Sequence, residues 1–189
     1  MNTMEKKMQN PWKTLSSKTI YKNEWIRLRE DKVITPGGKN GIYGVVETKP
    51  AIGIVPLSDD LYTYLVGQYR YTLDKYSWEI PEGGGMDSED ILTGAKRELL
   101  EETGLKSEKW TFLDTMYTSN SVTNEIGYLY LAEDLQQGTA HPDHTEDLQI
   151  KRLPFLEAWE MVLRAEIKDS LAIIGLMRVY NLLKKQNRL

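Results

Sequence analysis

Apolar residues in the first third of the chain alternate with polar ones or form short apolar runs, a pattern that predicts β-strands. The stretch "TIYKNEWIRLREDKVITPGG" predicts a strand, a turn and a second strand, and "GIYGVVE" predicts a third. The runs "AIGIVPL" and "LYTYLVGQYR" predict two more strands. Residues 1–17 are polar and predict a loosely ordered segment. The first third is therefore expected to be rich in β-structure.

The period changes at "SEDILTGAKRELLEETGL", where apolar residues recur at the spacing of one helical face. Ser88 is the expected N-cap, followed by Glu89 and Asp90 in the first turn, where carboxylates interact favourably with the helix dipole. Gly104 is expected to end the helix, because glycine readily adopts the left-handed conformation of a C-terminal stop. The apolar stripe comprises Ile91, Leu92, Ala95, Leu99 and Leu100.

Beyond this helix the pattern predicts two strands, a long polar loop, another strand and two helices. An order of strands and helices of this kind is typical of a mixed sheet with helices packed on it, an α/β sandwich. The stretches are, in the same order, "KWTFLDTMYT", "EIGYLYLAED", "QQGTAHPDHTED", "LQIKRLP", "PFLEAWEMVLRAE" and "KDSLAIIGLMRVYNLLKKQ".

The composition narrows the classes of protein that fit this pattern. The 189 residues suit one domain, or one domain with a small appendage. The absence of cysteine excludes disulfides and thiolate sites, and with two histidines we expect any metal to be held by oxygen. The net charge of -4 argues against a nucleic-acid partner. Neither a membrane-spanning run nor a secretory pattern is found, which predicts a cytoplasmic protein without a membrane partner.

Charged residues crowd the second half of the predicted helix. Arg97, Glu98, Glu101 and Glu102 fall within about one and a half turns, and the three glutamates share a face. Like charges at this spacing repel, and a Mg²⁺ or Mn²⁺ ion bound by the three carboxylates would offset the repulsion. Such an ion, with no protein nucleophile in view, favours attack of an activated water on a phosphate. The alternative is an acidic face that is simply solvated.

The full spacing resembles the Nudix box, G-x5-E-x7-R-E-U-x-E-E-x-G-U, in which U is aliphatic. Every specified position is filled, by Gly83, Glu89, Arg97, Glu98, Leu99, Glu101, Glu102, Gly104 and Leu105. The segment "VGQYRYTLDKYSWEIPEGGG" is similar to the one before the box in the ADP-ribose pyrophosphatase and nucleotide-sugar hydrolase branch. The resemblance extends over roughly residues 18–185. It implies a Nudix α/β/α sandwich at 49–189, preceded by an antiparallel β subdomain at 1–48.

The resemblance implies a metal site and the residues that brace it. Glu98 and Glu102 would be the principal ligands of Mg²⁺, or of Mn²⁺, with Glu101 a third. The backbone carbonyl of Glu82 would complete the site. Arg97 and Glu89 would hold the carboxylates in place, although Glu89 also fits a helix-dipole carboxylate.

A catalytic base is expected on the late loop "HPDHTEDLQI", where this branch places one. Glu146 matches best, and Asp143 and Asp147 are the alternatives. The loop also fits a solvated acidic segment with no catalytic role.

For the substrate, the resemblance implies that Arg70 binds the diphosphate and that Glu79 lies near it; Arg70 would otherwise be a surface charge. Members of the branch with strict ADP-ribose preference commonly have a proline in the segment that matches "MYTSNSVTNEIGYLY", and this chain has none. The departure favours a broader range of nucleotide sugars. Glu125, in the same segment, is a candidate for substrate contact.

The N-terminal strands are the candidate for recognising the base of the nucleotide. They contain Tyr21, Trp25, Arg27 and Arg29, and an aromatic ring beside arginines can stack a nucleobase. In the branch this subdomain swaps between two subunits, which implies a homodimer. Ordinary strand packing with solvated arginines is the alternative.

The function expected is therefore metal-dependent hydrolysis of nucleoside diphosphate sugars, of the ADP-ribose, ADP-glucose or GDP-mannose type. The products would be a nucleoside monophosphate and a sugar phosphate. Two alternatives stay open. One is a non-catalytic nucleotide-sugar sensor on a Nudix scaffold, since a fold does not fix a function. The other is an RNA end-processing pyrophosphohydrolase, against which the net charge of -4 counts.

Overall fold

The computed structural model describes residues 9–140 and 147–189. These residues divide into two compact units, one within Met1–Thr48 and Ser119–Glu125, the other Lys49–Thr118 and Ile126–Leu189. No helix in the described ranges is long and apolar enough to cross a membrane. The strands are β1 (Lys13–Lys22), β2 (Ile26–Ile34), β3 (Asn40–Thr48), β4 (Ala51–Pro56), β5 (Tyr62–Arg70), β6 (Lys75–Glu79), β7 (Glu82–Gly84), β8 (Leu105–Tyr117), β9 (Ile126–Gln137) and β10 (Gln149–Pro154). The helices are α1 (Ile91–Thr103), α2 (Phe155–Leu163) and α3 (Ser170–Lys185).

The first unit is an antiparallel sheet with the strand order β1-β2-β3. β1 begins at Lys13, so the expectation of a loosely ordered segment up to residue 17 is wrong for its last residues. Pairing of Thr14 with Val33 supplies main-chain hydrogen bonds that the polar composition does not reveal. Residues 1–8 lie outside the described ranges.

A short segment from much later in the chain completes this first unit. The backbone N–H of Val46 donates to the carbonyl of Val122 at 2.8 Å, and that of Thr48 donates to Oδ1 of Asn124 at 3.1 Å. An isolated parallel bridge joins Val46 to Thr123. The segment Ser119–Glu125, which connects β8 to β9, therefore belongs to the same unit as β3.

The second unit contains a mixed sheet, ordered β7-β4-β9-β8, in which β4 and β9 run parallel. A separate antiparallel sheet has the order β10-β5-β6. Val55 packs in one core cluster with α2 and α3, whereas its neighbour Ile54 packs in another with α1. β4 is thus covered on both faces, which explains its continuous apolar run. The predicted α/β sandwich with a mixed sheet is confirmed.

The ends of α1 show one error and one success of the sequence pattern. Asp90, rather than Ser88, is the N-cap, and its Oδ1 accepts a 3.0 Å hydrogen bond from the backbone N–H of Thr93. Glu89 therefore precedes the helix instead of lying in its first turn. Gly104 ends the helix in the left-handed conformation, with φ 71°, as predicted.

Two short strands were not predicted. β6 and β7 are brief, and β7 consists of Glu82 and two glycines, so it carries no apolar alternation. It forms because Ala51–Gly53 of β4 pair with it in antiparallel register. Tertiary pairing, which a local pattern does not contain, thus creates the strand that precedes α1.

Candidate active site

The close approach of β7 to α1 depends on Gly83. A Cβ atom at this position would lie 2.1 Å from Cδ of Glu98, a separation that atoms in proteins do not reach. The absence of a side chain lets the Glu98 carboxylate rest directly against the backbone of β7. Gly83 therefore has a steric role in front of the acidic helix.

Arg97 connects the end of β7 to the acidic residues around α1. Its Nη2 atom donates to Oε1 of Glu89 at 2.7 Å and to the backbone oxygen of Gly84 at 3.0 Å. Its Nη1 atom donates to Oε1 of Glu98 at 2.7 Å and to Oε2 of Glu101 at 2.9 Å. The hydrogen bond from Arg97 lowers the pKa of Glu89 below its ordinary value. The guanidinium itself thus offsets much of the carboxylate repulsion.

The acidic residues of α1 differ in burial. Glu98 is 7% exposed and Glu102 is 1% exposed, so the interpretation of a solvated acidic face does not fit them. Glu101 exposes 39% of its side chain. The backbone N–H of Glu82 donates to Oε2 of Glu102 at 3.0 Å, which connects β7 to the last turn of α1.

Arg70 at the end of β5 is held by two acidic residues. Its Nε atom donates to Oε1 of Glu79 at 3.0 Å, and its Nη2 atom donates to Oε2 of Glu79 at 2.6 Å. Nη2 also donates to Oε1 of Glu82 at 2.5 Å. Within the described part of the chain, Nη1 of Arg70 has no hydrogen-bond partner. Burial lowers the pKa of Arg70, but the hydrogen bonds to Glu79 and the charge of Glu82 outweigh it and raise the pKa.

Asp169 joins this group and was not predicted from the sequence. It is the N-cap of α3, and its Oδ1 accepts a 2.7 Å hydrogen bond from the backbone N–H of Ala172. Carboxylate oxygens of Glu79, Glu82 and Asp169 lie within 4.8 Å of one another. Burial, with the charges of Asp169 and Glu79, raises the pKa of Glu82 well above its ordinary value. In sequence, Asp169 carries only the signal of a helix cap.

The carboxylates do not gather as the helical spacing suggested. Among the described residues, the one group of three acidic side chains with oxygens this close is Glu79, Glu82 and Asp169. Glu98, Glu101 and Glu102 do not form such a group. Arg97 binds the first two, and the β7 backbone binds the third.

The donors present suit a hard divalent cation. Buried carboxylate oxygens lie on α1 and on β7, and Oε2 of Glu82 is buried and has no hydrogen-bond partner among residues 9–140 and 147–189. Oxygen-only donors of this kind favour Mg²⁺ or Mn²⁺ over softer metals. The residues therefore fit the metal that the Nudix box implies, and the choice of ion stays a prediction.

The candidate base Glu146 lies outside the described residues, as does Asp143. Asp147 is described. Burial raises the pKa of Tyr76, and the nearby charge of Asp147 raises it further. Arg70 pairs directly with Lys75, so their side chains share one face of the β5–β6 ladder. The next residue of β6, Tyr76, projects from the opposite face. Tyr76 therefore lies on the opposite face of this ladder from Arg70 and Glu79.

The N-terminal candidates lie in the first unit. Arg27 and Arg29 both bind the carboxylate of Glu47, so neither is a simply solvated arginine. Tyr21 and Trp25 are more than half exposed and are not part of a packed core. Both aromatic side chains are therefore partly accessible from solvent.

Glu125 also belongs to the first unit, where Oγ1 of Thr48 donates to its Oε1 at 3.4 Å. Whether it contacts a substrate stays a prediction.

Comparison with known proteins adds a family context to this geometry. The family sequence model of the NUDIX domain matches residues 47–172. The family sequence model of the nucleoside diphosphate sugar hydrolase N-terminal domain matches residues 12–46. An ADP-ribose pyrophosphatase of Mycobacterium tuberculosis is 35% identical over 91% of this chain and 84% of its own length. A methanol dehydrogenase activator of Bacillus methanolicus is 30% identical over 86% of this chain and 89% of its own length. A crystal structure of an ADP compounds hydrolase aligns with a TM-score of 0.84 at 22% identity, covering 97% of this chain and all of that one.

Proposed function

Because the chain belongs to the Nudix family and matches the N-terminal domain of nucleoside diphosphate sugar hydrolases, we propose that it hydrolyses the diphosphate bond of such sugars. The products are a nucleoside monophosphate and a sugar phosphate. The observation that carries the proposal is the complete Nudix box, whose Glu98 and Glu102 are buried and fixed by Arg97 and by the Glu82 backbone. A related ADP-ribose pyrophosphatase at 35% identity supports the same substrate class.

The residues of α1 and β7 have distinct tasks in this reaction. Glu98 and Glu102, with Glu101 and the Glu82 carbonyl, would hold Mg²⁺ or Mn²⁺. When bound, the cation activates water and neutralises charge on the phosphoryl oxygens. Arg97 fixes the direction of Glu98 and Glu101 through its Nη1 atom, so these carboxylates need little reorganisation.

Arg70 supplies the positive charge for the diphosphate. Glu79 accepts hydrogen bonds from its Nε and Nη2 atoms, which leaves the two N–H bonds of Nη1 to donate to phosphate oxygens. Glu79 itself is buried by this contact and acts on the substrate through Arg70. The base that takes the proton of the attacking water is proposed to be Glu146, which matches the branch best, with Asp143 and Asp147 as the alternatives.

The specificity and the assembly are the finer parts of the proposal. Ser119, Asn120 and Ser121 replace the proline of strict ADP-ribose hydrolases, which favours several nucleotide sugars over one. The nucleoside end of the substrate is proposed to contact the first unit, in a homodimer. The candidates there are Tyr21, Trp25, Arg27, Arg29 and Glu125. The homodimer and a cytoplasmic location remain predictions, to be tested by light scattering and cell fractionation.

The test is a substrate panel with purified protein, with and without Mg²⁺. We expect a monophosphate from ADP-ribose, ADP-glucose or GDP-mannose, activity lost with a chelator, and activity restored by added Mg²⁺. Absence of monophosphate from all three, with Mg²⁺ and with Mn²⁺, would overturn the proposal.

The two alternatives have less support. A non-catalytic sensor does not require the full set of box carboxylates that this chain retains. An RNA pyrophosphohydrolase is disfavoured by the match to a nucleoside diphosphate sugar hydrolase domain and by the net charge of -4. Triphosphorylated RNA in the substrate panel would distinguish it.

A further inference from the structure

The side chain of Glu82 lies between three parts of the second unit. Its backbone N–H is bound to Glu102 of α1, its Oε1 accepts from Arg70 of β5, and its carboxylate lies beside Asp169 of α3. The family resemblance gives a role only to the backbone carbonyl of this residue. Its side chain is mostly buried, so its carboxylate is a costly feature that needs a physical reason.

The contacts of Arg70 supply that reason. A guanidinium has five N–H bonds, and Glu79 uses the edge formed by Nε and Nη2. Three N–H bonds then remain to bind other groups, namely the second one of Nη2 and the two of Nη1. Glu82 takes the remaining N–H of Nη2 at 2.5 Å. Within the described residues, Nη1 is then the one edge without an acceptor.

Asp169 is the acidic neighbour of the Glu82 side chain on α3. The α3 cap fixes the Asp169 carboxylate through its bond to Ala172, and a carboxylate oxygen of Asp169 lies within 4.8 Å of one of Glu82. Repulsion from a fixed carboxylate disfavours rotation of Glu82 toward α3. The guanidinium of Arg70 is the positively charged group that contacts Glu82.

We propose that the side chain of Glu82 is a positioning residue for substrate binding, which holds Nη2 of Arg70 so that the Nη1 edge faces the diphosphate. This inference rests on the proposed function. An arginine held on two sides binds a phosphate group in one orientation and loses less freedom on binding. Glu82 itself does not touch the substrate.

The kinetic test compares Glu82→Ala with Glu82→Gln in Mg²⁺-activated hydrolysis of ADP-ribose. Alanine removes the acceptor oxygen, and we expect KM to rise about tenfold, as for the loss of one charge-assisted hydrogen bond, while kcat changes less than about threefold. Glutamine retains an oxygen for Nη2, and we expect it to restore most of the wild-type KM. Glu157→Ala is the matched control, because it removes an exposed glutamate of α2 that pairs with Arg164.

The outcomes separate this inference from the proposed function. If the wild type hydrolyses ADP-ribose and Glu82→Ala has an unchanged KM, or a reduced kcat alone, the positioning role is wrong and the function stands. The Glu82 carbonyl is present in all variants, so a role limited to the backbone predicts that unchanged KM. If the wild type hydrolyses no substrate of the panel, the proposed function fails first.

A second measurement needs no alanine variant and no turnover. In the wild-type protein, the side-chain ¹⁵N signals of Arg70 can be assigned by their loss in Arg70→Lys. Nη1 and Nη2 should give separate signals, because the contacts of Nε and Nη2 restrict rotation about the Nε–Cζ bond. A non-hydrolysable ADP-ribose with a methylene bridge in its diphosphate should shift Nη1 and leave Nη2 nearly unchanged. A single averaged Nη signal, or an equal shift of both, contradicts the inference.

Discussion

The backbone N–H of Glu82 donates a 3.0 Å hydrogen bond to Oε2 of Glu102, although twenty positions separate the two along the chain. The bond fixes a buried carboxylate of α1 to the strand that carries the glycines. The geometry of the site is therefore set as much by β7 as by the helix. The first two of the following predictions each alter one connection in this arrangement.

Gly83→Ala should damage the site without changing its chemistry. The added Cβ would lie 2.1 Å from Cδ of Glu98 and must displace that carboxylate. Because a displacement of about 1 Å in a catalytic group can cost about 10²-fold, we expect kcat/KM for ADP-ribose to fall by about that factor. Gly84→Ala is the control, since no atom of the described residues lies within 4 Å of a Cβ there, and its activity should stay within about threefold. Equal activity of the two variants would exclude the steric role.

Arg97→Lys should weaken the response to metal more than it weakens the fold. A lysine retains the charge but cannot bind Glu89 and Glu98 simultaneously with the geometry of a guanidinium. Loss of an outer contact to a metal ligand typically costs about 10- to 100-fold in metal affinity, so the Mg²⁺ concentration for half-maximal activity should rise by that factor. Arg164→Lys, on the exposed surface, should leave the Mg²⁺ titration unchanged. An unchanged titration in Arg97→Lys would show that the bracing is not needed.

Glu146→Gln should reduce kcat by about 10²-fold or more if Glu146 is the general base. The matched variants are Asp143→Asn and Asp147→Asn, which should keep near-normal kcat under the same conditions. The measurement is kcat for ADP-ribose at saturating Mg²⁺. A normal kcat in Glu146→Gln, with a large loss in either of the others, would reassign the base.

Glu133 should make the stability of the protein depend on pH. It is buried, and although burial opposes it, Arg188 and Lys109 lower its pKa below the ordinary value of 4.5. A depressed folded-state pKa means that the contribution is complete above the unfolded pKa and is lost as pH falls through the folded one. At pH 7, Glu133→Gln should lower the free energy of unfolding by about 1–3 kcal/mol, the range for hydrogen bonds to charged groups.

Urea denaturation of both proteins at a series of pH values provides the check. The difference between wild type and Glu133→Gln should shrink as pH falls below 4.5 and stay constant from pH 6 to 8. A difference that does not change with pH would mean that packing, and not charge, explains the loss.

The strands were largely predictable because their signal is local. The run of β4 already indicates burial on both faces, and the position of Gly104 already indicates where α1 ends. β7 and Asp169 were not predictable in this way. β7 exists because β4 pairs with it, and Asp169 reaches Glu82 because α3 packs back on the sheet. The spacing on α1 did indicate one acidic face, but the partners that hold each carboxylate come from other elements.

Ser119–Glu125 belongs to the unit of β3, far from it in sequence. No single cut in the chain therefore separates the two units. A recombination event that exchanges the N-terminal sheet between relatives has to exchange two stretches of coding sequence together. Otherwise Val46 of one protein has to pair with the residue that the other protein has in place of Thr123. Among homologues, substitutions in these two stretches should consequently be correlated.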